Sequence, residues 1–313
     1  MKNIFKKTLR AIVYSPPMKS MAAASKTLVL PGFDGMPLYD VADFFFTGIQ
    51  KGSITTRASS VAYSFFLALF PSVIFLFSLI PYIPIKNFQP QLLALLQDVF
   101  PKDAYLASKS TIEDIVKHQR GGLLSLGFFL AVYFTTNGIS ALIDGFNKSY
   151  HIKETRSAIG QRLRAFLLTT ILSLLIVAAI LLITFSESAT HYLVLHHILK
   201  TQGQIVLLYT GKWIVIAALF LFAISFLYYM GPALHKRWRF FSAGSIVASF
   251  LSILISVGFG AFVNNFGNYN KIYGSIGTLI VIMLWIYYNA LILIIGFELN
   301  ASIDNAKSSR RNY

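Results

Sequence analysis

The chain has 313 residues, 56% of them hydrophobic and only 12% charged, with 27 Lys and Arg against 12 Asp and Glu and a formal net charge of +15. A soluble domain carries about 25% charged residues, so an ordinary water-soluble globule is excluded, and 28 Phe with 16 Tyr exclude a solvated disordered coil. The lack of Cys excludes a disulfide scaffold, thiolate metal sites and Cys nucleophiles, which leaves an integral membrane protein.

Residues 1–36 read as a flexible basic tail. Lys2, Lys6, Lys7 and Arg10 precede only a short apolar stretch, and Pro16-Pro17 breaks it, so a cleaved signal peptide is not expected. Ile4, Phe5, Leu9, Ile12 and Val13 suit a short interfacial helix; a solvated tail suits them equally. Over 37–51, Leu38, Val41, Phe44, Phe45 and Ile49 recur at helical spacing. That pattern predicts an amphipathic helix on the cytoplasmic surface, ending at Gly52-Ser53.

Six stretches free of Asp, Glu, Lys and Arg reach 22 residues or more. A helix needs roughly 20 apolar residues to cross the hydrocarbon core. Trimmed of polar ends, they predict spans near 58–81, 122–143, 165–186, 213–231, 241–263 and 274–297. Barrel strands would be short and strictly alternating, so the expected class is all-α, a six-helix membrane domain over 37–303 with a basic tail at 304–313. Six spans put both termini on one side. The loops and ends of that side hold 19 of the 27 Lys and Arg, against 8 on the other. The positive-inside rule makes it the cytoplasmic side, in a multi-pass protein. Charge distributed this way calls for no nucleic acid.

The loop between the first two spans is too long for a plain connection. Leu92, Leu93, Leu95, Leu96, Val99 and Phe100 follow Pro90, which suits a first helical turn. Asp103 can cap a second helix running through Ile112, Ile115 and Val116 to Gly121-Gly122. Two short helices are therefore expected as an external cap. A short loop, Asn264–Tyr273, is expected before the sixth span.

Signatures of soluble enzymes are missing: no P-loop, Gly-x-Ser-x-Gly elbow or His-Glu-x-x-His. His191, His196 and His197 have only Glu187 near them in sequence, too few ligands for a metal. The carboxylates are scattered, which argues against two-metal nuclease chemistry. No cofactor, metal or catalytic residue is expected. Asp144 and Glu298 fall at the cytoplasmic ends of spans two and six, where each can pair with Arg57, Arg162, Arg164 or Lys236. Pairs that fix helix ends and a gate or headgroup contact are both open readings.

Asn137 lies within span two and Asn289 within span six, and a buried amide needs partners. Each either bonds across helices or lines a hydrated or substrate path. Ser245, Ser249, Ser252, Ser256 and Gly260 share one face of span five, a stripe suited to close packing or to a polar pathway. Pro71 breaks a backbone bond midway along span one, and a kink is expected.

These residues carry a family resemblance. Arg57-Ala58-Ser59-Ser60-Val61-Ala62-Tyr63-Ser64 leads into Leu69-Phe70-Pro71. Ala141-Leu142 and Asn147-Lys148-Ser149-Tyr150 follow span two, and Tyr228 and Pro232 precede Trp238-Arg239. Tyr273-Gly274-Ser275-Ile276-Gly277, Leu284-Trp285-Ile286-Tyr287 and Gly296-Phe297-Glu298-Leu299-Asn300 complete the set. In order and spacing this resembles the YihY/virulence factor BrkB family over roughly 40–303, though Ser242-Ala243-Gly244 departs from the family's Pro-Gly-Ala. The resemblance implies a six-helix bacterial inner-membrane protein, an old ribonuclease BN label regarded as a misassignment, and links to serum resistance and envelope traffic. It supplies no catalytic residues.

The expected function is a transporter or flippase-like handler of lipid or another anionic envelope component. The alternative is a non-transporting envelope scaffold or virulence-associated membrane protein, and a membrane enzyme acting on lipid headgroups comes third. The candidate path or gate comprises Tyr63, Pro71, Asn137, Asp144, Asn147, Tyr150, Tyr228, Pro232, Asn289, Glu298 and Asn300. Gly274, Ser275 and Gly277, expected to open span six, form a candidate anion contact because a Gly-rich helix start exposes N–H groups. The expected partners are membrane lipids and envelope proteins.

Overall fold

The computed structural model describes residues 25–82, 89–90, 93, 102–149, 157–196, 202–233, 239–264 and 267–311. Its helices are α1 (Leu38–Lys51), α2 (Ile54–Leu79), α3 (Lys102–Lys117), α4 (Gly121–Asn147), α5 (Ala158–Leu195), α6 (Gln202–Met230), α7 (Ala243–Asn264) and α8 (Gly267–Arg311). Six of them, α2 and α4 to α8, are long and apolar enough to cross a membrane. In hydrocarbon every backbone polar group must be satisfied within its own segment, and continuous apolar runs without breakers achieve this as helices. Pro71 is buried inside α2, which continues through it.

The two ends of the described chain meet. Phe33 and Val41 bury against Ile303 and Ala306, with Leu38, Phe44 and Leu299 around them. Lys307 Nζ donates to Asp34 Oδ2 at 2.8 Å and Arg310 pairs with Asp40 at 3.0 Å. The expected C-terminal tail is therefore helix as far as Arg311: Lys307 and Arg310 find partners in Asp34, before α1, and Asp40, on α1. The end of the expected N-terminal tail is ordered too. Val29 bridges Pro37, and Asp34 adopts a left-handed φ of 52°. The proposed interfacial helix at Ile4–Val13 lies outside the described residues. The face of the molecule where these ends meet is the terminus side; the opposite face is the far side.

At the far side α3 packs on a 3-10 turn, Ile80–Tyr82, and on the end of α2. The expected second cap helix thus exists, but it stops at Lys117, and Gly121 opens α4 instead of closing α3. The expected first cap helix lies largely outside the described residues. The loop expected at 264–273 is helix from Gly267 onward.

Between helices in lipid there is little hydrophobic drive, so small residues and close van der Waals contact decide association. The α2–α4 pair follows this rule along its length. A Cβ on Gly127 would lie 3.1 Å from the Phe75 backbone, and one on Gly138 would lie 3.0 Å from the Phe65 ring. Elsewhere burial is concentrated on the terminus side. In α5, Ala165 and Leu168 are fully buried, whereas Leu174, Ile180, Leu181 and Phe185 are exposed. In α7, the buried positions Ser245, Ala248, Ser249 and Ser252 all lie in the first half, and beyond them Leu254, Val257 and Phe262 are exposed. The result is a bundle tight at one end, with α5 to α8 loosely packed toward the other.

Candidate functional site

A buried polar clasp closes the terminus side. Arg57, in the first turn of α2, meets Glu298 of α8 at 2.5 Å, and their side chains are 4% and 0% exposed. The other guanidinium arm donates to the Gly145 carbonyl of α4 at 2.7 Å. Ser149 Oγ donates to the second Glu298 oxygen at 2.9 Å. A buried ion pair is tolerated when further hydrogen bonds satisfy its remaining groups, and here both carboxylate oxygens are occupied. Arg57 Nε has no partner among the described residues.

Two asparagines extend the clasp. Asn147 Oδ1 accepts from the Ala233 N–H at 2.8 Å, beyond the end of α6. Asn300 Oδ1 accepts from the Gly244 N–H at 2.7 Å, and its amide donates to Ser242 Oγ at 2.7 Å. Ser242 precedes α7 and exchanges hydrogen bonds with Ser245 in a capping-box arrangement. Orphan N–H groups at this helix start are thereby satisfied from inside the protein. The clasp ties together α2, α4, the end of α6, the start of α7 and α8.

Above it, toward the bundle centre, sits an aromatic layer. Phe146 and Phe297 stack at 4.5 Å between ring centroids, and Tyr228 packs edge-on against Phe146 at 5.5 Å. The Tyr228 hydroxyl donates to the Leu293 carbonyl at 2.6 Å. Gly244 and Gly296 let α7 cross α8 here: a Cβ on Gly244 would collide with the Gly296 carbonyl oxygen. After that crossing the two helices separate, and a Cβ on Gly258 or Gly260 would meet nothing within 4 Å.

A cavity of ≈ 380 Å³ opens where they separate. Its walls come from α5, α6, α7 and α8, including Leu175, Ala179, Leu219, Ala223, Trp285 and Leu293. The polar lining is Ser252, Ser256 and Asn289, with no ionisable residue. Leu227 and Leu293 form the end nearest the aromatic layer. Leu293 and Glu298 are five residues apart on one helix, a rise of roughly 7.5 Å, so cavity, aromatic layer and clasp lie in sequence along the bundle.

The expected site residues are thus distributed over several places. Asn147, Glu298 and Asn300 build the clasp, Tyr228 builds the aromatic layer, and buried Pro232 lies in the turn after α6. Asn289 lines the cavity, with Nδ2 donating to the Trp285 carbonyl of its own helix at 2.9 Å. Asn137 is not part of the cavity lining; its side chain bonds Tyr133, which also meets Arg162. Among the described residues Asp144 bonds Gln161 rather than an arginine. Tyr63 is more than half exposed on α2, away from the core, and Tyr150 lies outside the described residues.

The anion contact at Gly274, Ser275 and Gly277 loses its premise. These positions lie seven or more residues inside α8, where N–H groups are bonded to the preceding turn and no longer orphaned. Sequence reasoning placed Glu298 at a membrane interface, whereas the structure seals it completely. Arg57 was one of four candidate partners, and Ser149 and the Gly145 carbonyl were missed. The cavity's aliphatic lining was missed as well. Its one legible sign was the serine stripe, which is buried packing at Ser245 and Ser249 and reaches the cavity at Ser252 and Ser256.

Comparison with known proteins supports the membrane reading. The chain is 30% identical over 256 residues to the ribonuclease-like protein YfkH of Bacillus subtilis (strain 168), covering 80% of this chain and 90% of that one. It is 22% identical over 268 residues to a UPF0761 membrane protein of Tolumonas auensis, covering 85% and 86%. No solved structure matches. The ribonuclease-like name belongs to that relative, and the family is not an established enzyme family. Residues 45–313, which include the clasp, the aromatic layer and the cavity, match the family described as Virulence factor BrkB, and the chain belongs to that family.

Proposed function

We propose that this protein moves lipid, or another anionic envelope component, across a bacterial inner membrane, with both termini in the cytoplasm. The observation that carries the reading is the cavity of ≈ 380 Å³ among four spans, closed on the terminus side by the aromatic layer and the buried Arg57–Glu298 clasp. A structure sealed at one end and loosely packed at the other suits one state of an alternating-access cycle, in which the substrate enters from the far side. The clasp then acts as the inner gate.

The test is reconstitution in liposomes, following transbilayer movement of labelled anionic and zwitterionic lipids. The expected result is protein-dependent movement, slowed by filling the cavity with Ala179→Phe or Ala223→Leu. Folded protein that moves no lipid overturns the flippase reading.

A non-transporting envelope scaffold is the second reading. It is favoured by the groove of ≈ 190 Å³ between α1 and the end of α8, lined by Tyr39, Asp40, Asp43, Phe44, Ser309 and Arg310. A partner protein that co-purifies with the intact chain and is lost on Asp43→Arg, together with absent lipid movement, would favour it.

A further inference from the structure

Several buried or part-buried hydroxyls on these helices share a habit, whereas those of Ser78, Thr136 and Ser225 are buried without a hydrogen-bond partner among the described residues. Ser249 donates to the Ser245 carbonyl at 2.7 Å, Thr169 to Ala165 at 2.8 Å, Ser302 to Glu298 at 2.7 Å and Ser72 to Ala68 at 2.7 Å. Each bond satisfies the hydroxyl on the preceding turn of its own helix. Ser252 also departs from the habit, and unlike those three it lines the cavity. Its residue is 2% exposed, yet its hydroxyl makes no hydrogen bond among the described residues. An unpaired polar group in an apolar medium is costly, so Ser252 presents an unused donor to the cavity.

Ser256 stands one turn further along the same face and lines the same space. Asn289 uses one amide hydrogen on Trp285, and its side-chain carbonyl and second hydrogen have no partner among the described residues. The wall therefore carries a small neutral patch rich in donors, set in aliphatic and aromatic surface. The missing cation matters as much: nothing in the lining can neutralise a phosphate.

From this we infer that the cavity binds one acyl chain of a glycerolipid, with the ester carbonyl accepting a hydrogen bond from Ser252 and the charged headgroup held outside. A water molecule's share of liquid volume is about 30 Å³ and a methylene is of similar size. A space of ≈ 380 Å³ thus accepts on the order of a dozen chain carbons. The inference rests on the lipid-handling reading above and gives its substrate class: the protein recognises chain and ester, not headgroup.

The experiment uses the full-length protein in nanodiscs with glycerolipids that carry a photoactivatable diazirine in one chain. Labelled positions are mapped by mass spectrometry. Label should concentrate on the segments holding Leu175, Leu219 and Trp285, and fall at least fivefold with Ala223→Leu. An ester-linked probe should label roughly fivefold more than its ether-linked counterpart, the effect of about one hydrogen bond. Ser252→Val should abolish that preference; Ser252→Ala is the second variant should valine disturb the fold, and thermal midpoints verify both. Phosphatidylglycerol and diacylglycerol probes with the same chains should label the cavity equally.

Label spread evenly over the lipid-facing surface overturns the inference. So does equal labelling by ester and ether probes, or labelling that requires the phosphate. The two readings fail separately. Cavity labelling without transbilayer movement removes the transport reading and leaves the site. Movement without cavity labelling removes the site and leaves transport by another route.

Discussion

Arg57 and Glu298, 241 residues apart in sequence, meet at 2.5 Å in a space that solvent does not reach. Gly52 makes room for them: a Cβ there would lie 2.8 Å from the guanidinium and 3.3 Å from the carboxylate. Removing one partner of such a pair strands a buried charge at a cost of about 3–5 kcal/mol, while replacing both with apolar groups of similar volume is often close to neutral. Arg57→Met or Glu298→Leu alone should therefore lower the thermal midpoint of the purified protein sharply, and the double variant should recover most of the loss. A double variant as unstable as the summed singles would show that the residues act independently. In the lipid-movement assay the double variant should also change the rate, because it keeps the packing but removes the lock.

The α7–α8 crossing makes a sharper prediction. Gly244→Ala drives a methyl group into the Gly296 carbonyl oxygen, a contact relieved only by pushing two helices apart. Overpacking of this kind costs about 1–3 kcal/mol or more. Gly258→Ala, on the same helix, meets nothing within 4 Å, and replacing a helical Gly by Ala gains up to about 1 kcal/mol of propensity. The yield of monodisperse protein should fall for the first variant and hold or rise for the second. Equal yields would place the crossing elsewhere.

At the junction of α1 with the end of α8, packing should outweigh charge. Phe33→Ala deletes a side chain buried against Val41, Ile303 and Ala306, a change of about 3 kcal/mol. Asp40→Asn removes an ion pair whose side chains are 33% and 54% exposed, and such pairs contribute at most about 1 kcal/mol. Protease cleavage near residue 310 should be accelerated strongly by the first variant and little by the second, and raised salt should matter only for the ion pairs. The reverse order would mean that the two ends are held electrostatically.

Much of this architecture is legible in the sequence because it is written locally. Spans follow from charge-free runs, and α1 follows from the period of Leu38, Val41, Phe44 and Phe45. Features that depend on distant partners are not legible. Residues 304–311 read as a basic tail because Asp34 and Asp40, which hold them, lie far away in sequence. The start of α8 reads as a loop because Asn and Gly outweigh a weak apolar pattern at 264–274. Glu298 reads as interfacial because position along a span gives depth, not enclosure. The cavity has little signature of its own: its walls are the ordinary apolar surface of α5 to α8, with Ser252, Ser256 and Asn289 among them.

Orientation is the prediction that can be tested without an assay of activity. The chain has no Cys, so single cysteines report without background. Ser308 is exposed at the end of α8, on the terminus side. His118 follows α3 on the far side, with its side chain 69% exposed. Neither change removes a buried contact, so both variants should fold. The sequence puts 19 of its 27 Lys and Arg in the ends and loops on one side of the six spans, and the positive-inside rule predicts that this side faces the cytoplasm. A membrane-impermeant maleimide that reaches the periplasm should label His118→Cys in intact cells and leave Ser308→Cys unlabelled until the inner membrane is opened. The opposite pattern would invert the molecule, place the sealed clasp outside and require the proposed cavity to fill from the cytoplasmic leaflet.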